Sequence, residues 1–75
     1  MLVVYSKENC TKCNQAKLLL DMRGVEYDVK MFGEDYTRDE AVKISGGKLD
    51  MPIITLDGEY LGGLNELRAY VKTIM

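Results

Sequence analysis

The sequence predicts an α/β domain whose elements run β-α-β-α-β-β-α. Three observations carry this. An apolar run, a stretch of helical spacing and an alternating stretch occupy residues 2–5, 11–23 and 25–31, the strand–helix–strand order of a βαβ unit. Asp57-Gly58 between two short strand-like runs is a hairpin signal. Gly62-Gly63 then gives way to apolar residues at helical spacing.

Leu2–Tyr5 is short, apolar and β-branched, and reads as a buried strand. The loop Ser6–Asn9 leads to a helix over Thr11–Arg23, where Cys13, Ala16, Leu19 and Leu20 share one face. Gly24 ends that helix. Val25–Met31 alternates apolar and polar residues, the period of a half-buried strand. The first two strands should lie parallel, because a helix connects them. Thr37-Arg38-Asp39-Glu40 has capping-box spacing and opens a short helix to Ser45, ended by Gly46-Gly47. Pro52–Leu56 and Glu59–Leu61 form the hairpin strands. Leu64, Leu67, Tyr70, Val71 and Ile74 mark one face of the last helix.

At 75 residues, 47% hydrophobic and 29% charged, the chain reads as one small globular domain, residues 1–75. Its net charge of −2 gives no reason to expect a nucleic acid or an anionic membrane as partner. Residues 1–23 carry four bases against two acids, and residues 24–59 carry nine acids against four bases. The cysteine end is thus the positive end. Met1 leads directly into a strand-like run, with no signal-peptide pattern. No apolar stretch approaches the roughly 20 residues that span a bilayer. The expected location is the cytoplasm, and the expected state a monomer.

Cys10-Thr11-Lys12-Cys13 holds both cysteines of a chain that has no histidine. A disulfide closing so small a loop removes little entropy from the unfolded chain, so it is poor structural material. At a strand–turn–helix junction, two such thiols suit thiol–disulfide exchange. Two other readings remain: inert packing, or half of a four-cysteine metal site completed by a second chain. Cys10 falls where the helix N-cap belongs, facing unpaired N–H groups and the positive end of the helix dipole. Lys7 and Lys12 add positive potential and Glu8 opposes it. A depressed pKa is expected for Cys10 and a higher one for the more buried Cys13. Gly62-Gly63 is either a tight turn or a turn that bares N–H groups to a carboxylate. Asn65 and Glu66 cap the helix or meet a ligand amine. Tyr5, Tyr27 and Tyr70 read as packing; Met22, Met31 and Met75 show no metal-binding pattern.

Tyr5-Ser6-Lys7-Glu8-Asn9-Cys10-Thr11-Lys12-Cys13, Met51-Pro52 and Gly62-Gly63-Leu64-Asn65-Glu66-Leu67 together resemble the glutaredoxins, and most the small phage-type dithiol members. The resemblance implies a thioredoxin-like fold, a four-stranded mixed sheet with helices on both faces. It implies a glutathione-dependent disulfide oxidoreductase, with Cys10 attacking and Cys13 resolving. It implies a cis peptide at Met51-Pro52, with the Met51 backbone receiving the incoming thiol peptide. Gly63, Leu64 and Asn65 would hold the γ-glutamyl end of glutathione and Lys7 its glycine carboxylate; Lys12, Pro52 and Gly62 complete the expected site. Glutathione would be a co-substrate, with no tightly bound cofactor and no metal. Protein disulfides, ribonucleotide reductase among them, would be the acceptors.

The chain departs from the common family pattern at Thr11-Lys12, where Pro-Tyr is usual, and at Asp50-Met51, where Thr-Val is usual. Two alternatives follow from related families. One is a glutaredoxin-like hydrogen donor reduced by thioredoxin reductase. The other is a dimer holding a [2Fe–2S] cluster through Cys10 and glutathione, against which Cys13 argues.

Overall fold

Strand β1 (Leu2–Ser6), helix α1 (Thr11–Met22) and strand β2 (Tyr27–Met31) form the expected βαβ unit, with the two strands parallel. Helix α2 (Arg38–Ser45), strands β3 (Ile53–Leu56) and β4 (Glu59–Gly62) and helix α3 (Leu64–Ile74) follow. This computed structural model describes residues 1–48 and 50–74, the last by its backbone alone. The expectations for the Ile74 side chain and for Met75 lie outside the described residues.

The sheet order is β2-β1-β3-β4. β3 runs antiparallel to both β1 and β4, so the sheet is mixed, and the fold is the thioredoxin-like one. Asp57 and Gly58 both have positive φ, +52° and +88°. That is the turn whose twist matches a two-residue hairpin. Thr55 pairs with Tyr60 but Ile54 pairs with Gly62, so Leu61 is the extra residue of a bulge.

Alternate side chains point to opposite faces of a strand, and the core divides accordingly. Leu2, Val4 and Ile54 pack with Ala16 and Leu20 of α1 and with Leu64, Leu67 and Val71 of α3. On the other face, Tyr5 and Ile53 pack with Tyr36, Met51, and Ala41 and Ile44 of α2. Helices therefore cover both faces.

The element ends follow from capping. α1 closes with Gly24 at φ +67°. The Gly24 N–H bonds the Asp21 carbonyl at 3.2 Å, and the Val25 N–H bonds the Leu20 carbonyl at 3.0 Å. This pair is the Schellman motif. It takes Val25 out of the strand expected from residue 25, and β2 begins at Tyr27. α2 has the full capping box: Thr37 accepts from the Glu40 N–H, and the Glu40 carboxylate accepts from the Thr37 N–H. Among the described residues, no helix is long and apolar enough to cross a membrane.

Candidate active site

β1 delivers the chain to the site. Its last residue, Ser6, is fully buried. Three exposed residues then lead to Cys10, the last of them, Asn9, at φ +56°. Cys10 is the N-cap of α1, in extended backbone, and its sulfur accepts a hydrogen bond from the Cys13 N–H at 3.2 Å. The cap position was legible because the apolar spacing of α1 starts one turn later. The first turn of α1 contains no acidic residue, so within the helix the dipole and Lys12 act together on the sulfur, while Glu8 in the preceding loop and Asp50 across the recess oppose them. Cys10 is 8% exposed and Cys13 is not exposed at all. The two are joined as a disulfide, with 5.2 Å between their Cα atoms.

The Met51-Pro52 peptide is cis, as the resemblance implied. Met51 borders three adjoining recesses. In the first, of about 290 Å³, it faces Cys10 together with Lys7, Lys12 and Asp50. The second, about 210 Å³, runs from Lys12 and Asp50 past Pro52 to Gly63, Leu64 and Asn65. The third, about 290 Å³, is mostly apolar and is bordered by Lys7, Phe32 and Arg38. Together they make a groove that passes the sulfur, with Lys7 and Arg38 at one end and the start of α3 at the other. A larger hollow of about 650 Å³ lies along β2, bordered by Asp21, Glu26 and Asp28, and has no cysteine.

Of the expected site residues, Lys7, Cys10, Lys12, Met51, Pro52, Gly63, Leu64 and Asn65 border this groove. Cys13 lies beneath it. Gly62 borders none of the three recesses and is buried. Its role here is steric: at φ +141°, any Cβ would come within 2.6 Å of Glu66 Cβ. The glycine turn is also less open than expected. The Gly63 N–H donates to the Glu66 carboxylate at 2.7 Å. This is one half of a capping box, and it leaves the Leu64 and Asn65 N–H groups, which a helix's first turn cannot pair internally, as those a carboxylate can reach. Sequence reasoning missed Phe32, Arg38 and Tyr36. The four-residue motif containing Arg38 was spent on the helix cap, and nothing local marks the two aromatics.

A two-faced α/β sheet that sets Cys-x-x-Cys at the start of α1, beside a cis-proline turn, defines a thioredoxin-fold thiol–disulfide oxidoreductase. The glutaredoxin family model matches residues 2–61. Glutaredoxin 3 of Escherichia coli (strain K12) is 36% identical over 67 residues, covering 88% of this chain and 80% of that one. The chain belongs to the glutaredoxin family. Among solved structures, a buckwheat glutaredoxin–glutathione complex superposes with a TM-score of 0.81 at 22% identity, over 96% of this chain and 68% of that one. Glutaredoxin 1 from Francisella tularensis, complexed with cacodylate, gives 0.78 at 22% identity, over 97% and 93%.

Proposed function

We propose that this chain is a dithiol glutaredoxin that uses glutathione to reduce disulfides in the cytoplasm, as a single-domain monomer. One observation carries the reading: Cys10 caps α1 with its sulfur and borders a groove that has cationic side chains at one end and a helix N-terminus at the other. Glutathione carries a carboxylate at each end of an extended thiol peptide, so those two ends suit it. The buckwheat relative's complex with glutathione, on the same fold, supports the assignment.

The Cys10 thiolate attacks one sulfur of a substrate disulfide. A mixed disulfide forms and the first substrate thiolate leaves, taking a proton from water. Cys13, deprotonated, then attacks the Cys10 sulfur. The second substrate thiolate leaves and the Cys10–Cys13 disulfide remains. One glutathione thiolate attacks Cys10 and frees Cys13; a second attacks the mixed disulfide, releasing glutathione disulfide and the Cys10 thiolate. Burial of Cys13 keeps it from outside disulfides and within reach of Cys10. Lys7, Lys12, the Met51 backbone, Pro52 and the Gly63–Asn65 turn hold the peptide, and Gly62 shapes that turn. On this reading glutathione is a co-substrate, and the reaction calls for no metal. Protein disulfides are the acceptors, with ribonucleotide reductase a candidate among them.

The test is NADPH-coupled reduction of a small mixed disulfide, with glutathione and glutathione reductase in one arm and thioredoxin reductase alone in the other. Turnover in the first arm is expected. Turnover confined to the second would reassign the chain as a hydrogen donor of the thioredoxin reductase system. The absence of tryptophan weighs against that outcome, because such donors carry one at the turn where this chain has Tyr60–Asn65.

A further inference from the structure

Tyr36 is 3% exposed and sits in the connection between β2 and α2, with no part in the chemistry above. Its ring meets Tyr5 edge-on at 5.1 Å between centroids and Phe32 edge-on at 5.6 Å. Its hydroxyl donates to the Ser6 carbonyl at 2.7 Å. The same oxygen lies 3.4 Å from the Met51 sulfur. Ser6 is the last residue before the loop to Cys10. Met51 borders all three recesses of the groove. One phenol therefore touches both segments that a substrate disulfide must fit between.

We propose that Tyr36 is a positioning residue for disulfide capture: its hydroxyl seats the Met51 side chain and fixes the Met51-Pro52 turn against the end of β1. The inference rests on the reading that Met51 receives the incoming peptide. A methionine has three rotatable bonds and is a loose wall unless something holds it. Here Met51 packs against the cluster of Tyr36, Ala41 and Ile53, and the hydroxyl oxygen meets its sulfur. The Ser6 carbonyl also accepts the Phe32 N–H at 2.9 Å. Removing the Tyr36 hydroxyl thus leaves no backbone group without a partner, and Tyr36→Phe keeps the ring. The substitution isolates the seat from the core.

The experiment uses the full chain, reduced with a phosphine and desalted. Stopped-flow rate constants are measured against a glutathionylated peptide and against a glutathione-free peptide disulfide. The small alkylating agent iodoacetamide reports Cys10 itself. Tyr36→Phe should lower both disulfide rate constants about threefold, the scale of one sulfur contact, and leave alkylation unchanged. Met51→Leu, which keeps the tyrosine, should show the same loss by itself. The double variant should be no slower than either single one, because both remove the same contact. Wild-type rates in either single variant, losses that multiply in the double, or an equal fall in alkylation would each overturn the proposal. If the glutathionylated peptide reacts no faster than the other in the wild type, the glutathione assignment fails. The Tyr36–Met51 coupling is then read on the glutathione-free disulfide.

Discussion

Cys10 caps α1 with its sulfur, and the hydrogen bond it accepts from the Cys13 N–H is one that a thiolate accepts better than a thiol. In the reduced protein, Cys10 should therefore alkylate with iodoacetamide at pH 7 at least about tenfold faster than Cys13. Mass spectrometry of the labelled peptide separates the two; equal labelling would remove the helix start as the activating group. At this scale the sequence was legible where the chemistry is local. Cys10 and Cys13 announce themselves within a few residues of chain, whereas Met51-Pro52 gains meaning only through the family resemblance that the cysteine motif begins. Tyr36 does not announce itself, because its partners Ser6 and Met51 are 30 and 15 residues away. Glu66 lies between these cases. Its bond to Gly63 spans three residues and bears out the capping role, one of the two the sequence left open; glycine at the cap position supplies no side chain to complete a capping box that would have decided between them.

Elements were read well and their edges less well, for physical reasons. α2 rests on a capping box that eight residues of modest helical propensity need. Thr37→Ala should cost about 1 kcal/mol, lowering the melting temperature by about 4–8 °C in a domain of this size. Thr37→Ser should lose much less. An unchanged melting temperature in Thr37→Ala would mean that packing of Ala41 and Ile44 alone holds the helix. Residues 25–31 alternate throughout, yet the strand starts at Tyr27, because the helix cap takes the Val25 N–H before the sheet can. Alternation shows which face a side chain takes, but not which backbone partner wins.

The whole molecule is a sheet with one larger and one smaller cluster, and the smaller carries Tyr5, Tyr36 and Met51. Burial, and then the neighbouring Tyr5, push the Tyr36 phenol above its ordinary pKa of 10.0. Burial, and then the hydrogen bond to Asp21, do the same for Tyr27. A raised pKa in the folded state means that the folded chain holds these protons when the unfolded chain has released them. Their contribution to stability is intact below pH 10.0 and is lost as pH climbs through the raised values. Urea midpoints should therefore fall above that pH, and fall less steeply in Tyr36→Phe; an identical slope in that variant would contradict the assignment. The candidate site lies where this cluster, the start of α1 and the start of α3 converge. That convergence follows from the crossovers, so the sequence could place its parts on elements but could not show Arg38 and Phe32 entering the same groove.

If Cys10 attacks and Cys13 resolves, with glutathione in the groove, the two single-cysteine variants must differ. The most direct measurement is intact-mass analysis of Cys13→Ser and Cys10→Ser after brief exposure to glutathione disulfide. One glutathione is expected on Cys13→Ser, held at Cys10, and none on Cys10→Ser in the same time. Rapid glutathionylation of Cys13 in the Cys10→Ser variant, or none in either, would contradict it.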